Sequence, residues 1–163
     1  MKWDTDYWII YIICNVTGIL FLWASIKTPR LARLMFVILF AWASWTNYTV
    51  SHENPTVYLQ YADSSTKWYA DFINGWFKEH ITIMVSLIAI GQAFIAVGML
   101  LKGWWVRVAC IGVILFLVAI APLGMYAGFP FSITVSFAAF FILKRDSLNY
   151  LWKFKPKNKV VWE

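Results

Sequence analysis

Residues 81–103 read ITIMVSLIAIGQAFIAVGMLLKG, and from Ile81 to Leu101 no charged side chain interrupts the run. A helix needs about 20 apolar residues to cross roughly 30 Å of hydrocarbon, so this stretch has the length and character of one complete membrane span. Its only strong hydrogen-bonding side chain near mid-length is Gln92, and Lys102-Gly103 closes it. The rest of the chain repeats the theme. Tyr7 to Ile26 is uncharged and stops at Lys27, Pro29 and Arg30. Leu34 to Val50 follows, with Trp42, Trp45 and Tyr48 toward its far end. Trp104 to about Ala121 is broken by Pro122 and Gly124, and Phe129 to Leu143 stops at Lys144-Arg145. The expectation is an all-α membrane protein with five transmembrane helices.

Composition agrees. The chain is 61% hydrophobic and 13% charged, against about 45–50% and about 25% for soluble domains. A chain of 163 residues folded in water leaves too much surface to hide that apolar excess. The first segment is slightly acidic and lacks a small-residue cleavage site, so it reads as a retained span rather than a signal peptide.

Charge placement predicts direction. The N-terminal segment with Lys2, Asp4 and Asp6 nets −1, and Lys27, Arg30 and Arg33 give +3. The 51–79 loop with Glu53, Asp63, Lys67, Asp71, Lys78 and Glu79 nets −2. Lys102 and Arg107 give +2, residues 122–130 carry no charge, and the tail nets +4. Basic segments alternate with neutral or acidic ones. Because Lys and Arg are retained on the cytoplasmic side, the N-terminus and the 51–79 loop are expected outside and the C-terminus inside an inner (cytoplasmic) membrane. The short fifth run is expected to cross, since otherwise the basic tail would lie outside.

Within the outer loop, Asn54-Pro55 is a helix-start pair. Trp68, Tyr69, Phe72, Ile73, Trp76 and Phe77 fall on one helical face, which predicts an amphipathic helix lying in the interface or against a partner protein. Small residues supply helix packing in lipid. Ser86, Ala89, Ala93 and Ala96 form one stripe, Gly91 and Gly98 a neighbouring one, and Ser132, Ser136 and Ala139 repeat the device. The third span is therefore expected at the centre of the bundle. Lys153, Lys155, Lys157 and Lys159, interleaved with Trp152 and Phe154, suit anionic lipid headgroups better than nucleic acid.

Candidate chemistry is sparse. No nucleophile elbow, Gly-rich phosphate loop or paired-Cys motif occurs, and Cys14 and Cys110 lie in separate apolar runs. No ionisable residue sits at mid-depth of a span, which weighs against a proton-coupled transporter. Gln92 is either interhelical glue or a contact for a ligand such as a quinone. His52 and His80, with Glu53 and Glu79 beside them, could hold Zn or Cu, since imidazole suits both metals.

From Pro29 onward the pattern resembles the DoxX-like family of small membrane proteins. The resemblance rests on Arg30-Leu31-Ala32-Arg33 before an apolar helix and on Asn54-Pro55. It also rests on Ile88 to Gln92, Gly98-Met99-Leu100-Leu101-Lys102-Gly103 and Arg107. It covers residues 30–145. It implies a four-helix core over 29–145, an added first helix over 1–28 and a redox-linked setting, while the charge pattern makes 146–163 a basic tail expected in the cytoplasm. The family usually carries Glu where this chain has Gln92, which puts a titratable role there in doubt. The reading is a non-catalytic subunit or accessory protein of a larger, redox-linked membrane complex, with other membrane subunits and lipid as partners. A quinone-linked oxidoreductase is the alternative and a small-solute carrier the third.

Overall fold

The computed structural model describes residues 5–152. Pro29 opens the longest helix, where its missing amide hydrogen costs nothing at the first helical position. Helix α2 runs Pro29–Glu53, following α1 (Thr5–Lys27) with only Thr28 between them. A lid then forms from a 3₁₀ segment (Pro55–Asp63), the six-residue α3 (Lys67–Phe72) and a π-type turn (Ile73–Phe77). Helices α4 (Ile81–Leu100), α5 (Trp104–Ile120) and α6 (Phe131–Arg145) complete the chain, with a 3₁₀ segment (Ala121–Ala127) before the last. No strand occurs among the described residues.

Among the described residues, four segments are long and apolar enough to cross a membrane: Trp8–Lys27, Pro29–Glu53, Ile81–Leu100 and Trp104–Ala127. Their outward faces carry large apolar side chains, among them Ile10, Ile38, Phe94 and Leu115. These helices fit a membrane-embedded protein. The fifth expected span, α6, has 15 residues, or about 22 Å at ~1.5 Å per residue, short of the ~30 Å hydrocarbon layer.

The five long helices close a ring: α1 packs on α2, α2 on α4, α4 on α5, α5 on α6, and α6 back on α1. An odd ring must contain one parallel pair, and that pair is α1 with α6. Phe131 at the start of α6 lies against Gly18, while Arg145 at its end donates to the carbonyl of Ile26 at 3.3 Å. Phe21, Phe36, Phe40, Met99, Val113 and Ile142 fill the interior, with Phe21 edge-on to Phe36 at 4.9 Å between centroids. The third span is thus not the centre of the bundle. It is one member of the ring, packed chiefly on α2 and α5.

One end of the ring gathers Lys27, Arg30, Lys102, Lys144 and Arg145 at the termini of α1, α2, α4 and α6. The other end lies under the lid, where Ser64 donates its hydroxyl to the Leu123 carbonyl at 2.7 Å and Thr66 N–H bonds Pro122 O at 3.1 Å. Gly124 (φ +78°) abuts the Ser64 carbonyl oxygen, so a side chain there meets both a left-handed backbone and a filled space.

The lid departs from the continuous amphipathic helix. Gly75, at φ −94° and ψ −113°, kinks the segment inside the π-type turn that follows the six α-helical residues. Of the six apolar residues placed on one face, Ile73 alone is buried. Trp68, Phe72 and Trp76 are exposed, and Tyr69 and Phe77 half-buried. Glycine's weak helix preference outweighs the apolar periodicity here.

Candidate functional site

Arg33 is the largest fully buried side chain, at 0% exposure. It lies one turn inside α2 on the stripe shared with Phe36 and Phe40, both buried, so the helix that carries these rings inward carries the guanidinium with them. Four carbonyl or carboxylate groups receive it. Nε and Nη2 donate to Met99 O at 3.0 and 2.6 Å, and Nη2 to Leu101 O at 2.7 Å. Nη1 donates to Asp146 Oδ1 at 3.0 Å and to Asn149 O at 2.8 Å.

The location explains the set. A helix leaves its last four carbonyls without intrahelical partners, and those of α4 are met one by one. Gly98 O accepts Leu101 N–H, Leu100 O accepts Leu151 N–H, and Met99 and Leu101 accept Arg33. A cation at a helix C-terminus also meets the negative end of its dipole. Asp146, itself buried, supplies the counter-charge and accepts Leu148 N–H at 2.6 Å. Segment 146–151 is thereby folded back under the ring, with Gly103 N–H on Leu148 O at 2.7 Å and Lys102 over the Tyr150 ring. Arg33 is a junction of three elements, whereas the sequence marks it as a topology charge and as the last residue of the Arg30-Leu31-Ala32-Arg33 pattern.

The second polar cluster rises from mid-depth to the lid. Gln92 is 3% exposed, and its Oε1 accepts Asn47 Nδ2 at 2.9 Å. Asn47 Oδ1 accepts the Tyr58 hydroxyl at 3.0 Å, and one turn nearer the basic end Ser44 donates to Ala89 O at 2.7 Å. Gln92 therefore joins α4 to α2, and through Asn47 to the lid. Burial pushes the Tyr58 phenol up to about 12, with the neighbouring Tyr61 adding to the rise, and burial raises Tyr61 as well. Tyr58 carried no sequence signal, since its role depends on how the loop folds back onto α2.

His52 and His80 stand at the lid end, on α2 and just before α4. Each ring Nδ1 meets a carbonyl four residues earlier, Tyr48 O at 2.7 Å and Trp76 O at 2.8 Å, which assigns the proton to Nδ1 and leaves Nε2. Each ring also stacks on an aromatic, Tyr48 and Trp76 respectively. Glu53 and Glu79 are exposed. Among the described residues no three His, Cys, Asp or Glu side chains gather into a group fit to hold a metal ion.

The small-residue stripe of α4 divides. Ala89 and Ala96 are buried and Ser86 half-buried, but Ala93 faces outward on the wall of a groove against α2. Ser132, Ser136 and Ala139 of α6 are buried as expected. Close approach centres instead on Gly98, where an added Cβ would lie 2.9 Å from that of Ala109 on α5. Lys153, Lys155, Lys157 and Lys159 lie outside the described residues. No family model, curated protein or solved structure matches the chain.

Proposed function

We propose that the chain is a five-span integral membrane protein serving as a non-catalytic subunit or accessory protein of a larger, redox-linked membrane complex. The observation that carries this reading is how its deep polar groups are used. Arg33, Asp146, Asn47, Gln92 and Tyr58 all bond across elements of the fold. A transporter or enzyme keeps such groups poised toward a path or a substrate; here they hold helices in register. A cation at Gln92 Oε1 would have to displace Asn47.

Five crossings are supported by the basic end, since the termini of all five long helices nearest it share one side of the ring. The short α6 is compensated by the lid, which seats Ser64 and Thr66 on the 121–127 turn and so fills the depth that α6 leaves. Retention of Lys and Arg in the cytoplasm then puts the basic end inside, and the lid and N-terminus outside an inner membrane. Exposed Trp68, Phe72 and Trp76 rest at the outer headgroup level, where aromatic side chains concentrate. The redox-linked setting follows from the DoxX-like pattern of residues 30–145.

Native mass spectrometry of protein extracted from its own membrane in mild detergent tests the proposal. Subunits of fixed stoichiometry accompanying the chain are the expected result. A lone chain in every detergent, with no partner captured by cross-linking in intact membranes, overturns it. A stoichiometric quinone on that lone chain would replace it with the quinone-linked reading.

A further inference from the structure

The lid rejoins the ring at Ile81, and a pocket of about 310 Å³ opens beside that joint, at the small end of the ~300–1,000 Å³ typical of ligand sites. Pro55, Thr56 and Leu59 of the 3₁₀ segment form one wall, and residues 78–83 form the other. Thr82 donates its hydroxyl to Ser51 O at 3.0 Å, which sets the pocket level with the lid end of α2. Ile83, 65% exposed, marks where it meets the outer apolar surface of the ring. The charged lining is one cation and one anion, with an acceptor beside them. Lys78 and Glu79 are exposed, and neither has an ion pair among the described residues. Adjacent helical residues do not face each other, so the two charges do not cancel. The His80 ring gives its Nδ1–H to Trp76 O at 2.8 Å, which leaves Nε2 to accept.

We propose that this pocket binds the headgroup of an aminophospholipid, a phosphate joined to a primary ammonium, with the acyl chains descending past Ile83. The inference rests on the membrane reading above, which sets Trp76, stacked on His80, at the headgroup level. Lys78 meets the phosphate. Glu79 and His80 Nε2 accept from the ammonium, which offers three N–H donors. A quaternary ammonium offers none and is held by aromatic faces, whereas no Trp, Tyr or Phe lines the pocket. A purely anionic headgroup would meet the Glu79 carboxylate, on a loop whose net charge over 51–79 is −2. A zwitterion with a primary amine satisfies both charges; choline and glycerol headgroups do not.

The test uses the full chain, delipidated in detergent and titrated with phosphatidylethanolamine, phosphatidylcholine or phosphatidylglycerol of identical acyl chains, with occupancy read by native mass spectrometry. One hydrogen bond to a charged group is worth about tenfold or more, so a preference of at least ~10-fold for phosphatidylethanolamine over phosphatidylcholine is expected. Glu79→Ala should remove most of that preference and leave phosphatidylcholine retention as it was. Lys78→Ala should weaken both lipids about fivefold, the worth of one cation near a headgroup layer. Lys67→Ala and Asp71→Ala, the same charge changes elsewhere on the lid, should alter neither. All four residues are exposed, so the lipid-free thermal midpoint should stay with the parent; Glu79→Gln is the second variant if that of Glu79→Ala falls. Equal retention of phosphatidylethanolamine and phosphatidylcholine, or a preference for phosphatidylglycerol, overturns the proposal. So does a preference that survives Glu79→Ala, or one that the control changes reduce as much. Soluble phosphoethanolamine that displaces the lipid at equal concentration would assign the pocket to a water-soluble zwitterion and overturn the lipid headgroup. Release of the chain from membranes by alkaline carbonate without detergent would overturn the membrane reading itself. Unselective lipid retention by a detergent-requiring protein overturns the headgroup site alone.

Discussion

Arg33→Met removes the guanidinium and retains most of the side-chain volume. Three carbonyls, Met99 O, Leu101 O and Asn149 O, lose their side-chain donor, and the buried Asp146 keeps only the Leu148 amide. Breaking a buried pair by deleting one partner costs about 3–5 kcal/mol, mostly as the penalty of the charge left behind. For a chain of this length, ~2–4 °C of midpoint per kcal/mol turns that into a fall of about 6–20 °C. Cys110, fully buried in the ring, gives the assay once Cys14, the other free thiol, is replaced by Ser: a thiol-reactive fluorophore followed against temperature in detergent micelles then reports its exposure. Arg33→Lys keeps the charge but offers a compact ammonium in place of the planar fork, and should lose about half as much. Adding Asp146→Leu to Arg33→Met should recover part of the loss, because no buried charge then remains, while the orphaned carbonyls keep the rest. A midpoint for Arg33→Met within 2 °C of the parent would refute the reasoning, as would a double variant less stable than the single.

Gly98→Leu drives a side chain into Ala109 of α5 and should cost about 3 kcal/mol of stability. Gly91→Leu, with nothing within 4 Å of its Cβ position, should melt with the parent, and equal behaviour of the two would contradict the packing. Gly124→Ala should detach the lid, read as faster proteolysis between residues 54 and 80; unchanged protection would show that the Ser64 contact is dispensable. Tyr58→Phe removes one hydrogen bond to Asn47, a loss of about 1 kcal/mol, visible as a lower midpoint at neutral pH. The Tyr58 phenol is raised in the fold from 10 to about 12, so its neutral form contributes stability fully below pH 10. That contribution disappears as pH rises through 12. Alkaline melting between pH 10 and 12 should therefore be blunted in Tyr58→Phe, and an identical pH profile for both proteins would count against the assignment.

The long apolar runs were legible because hydropathy over 20 residues is a local property. Ile81 to Leu101 matches α4 to one residue, and Trp104 to Ala121 matches α5 as closely. Arg33 is not legible as a buried residue because charge in a sequence signals topology first, and the apolar run places the start of the second span at Leu34 rather than Pro29. With Pro29 as the start, Arg33, Phe36 and Phe40 fall on one inward stripe, and an arginine on a buried face demands partners. Those partners, Met99, Leu101, Asp146 and Asn149, lie 66 to 116 residues away, a pairing that only the fold brings about. Gln92 was legible as an interhelical residue, whereas its connection to Tyr58 through Asn47 depended on the path of the lid. Ala93 shows the limit of periodicity, because a small stripe says that something approaches closely but not which of its residues is covered.

Whether α6 crosses the membrane decides the five-span architecture. In intact spheroplasts, a membrane-impermeant maleimide should label Gln60→Cys on the lid and spare Ser147→Cys just beyond α6 until the membrane is permeabilised. Ser147→Cys labelled from outside together with Gln60→Cys would mean that α6 turns back, and the five-span architecture would be wrong.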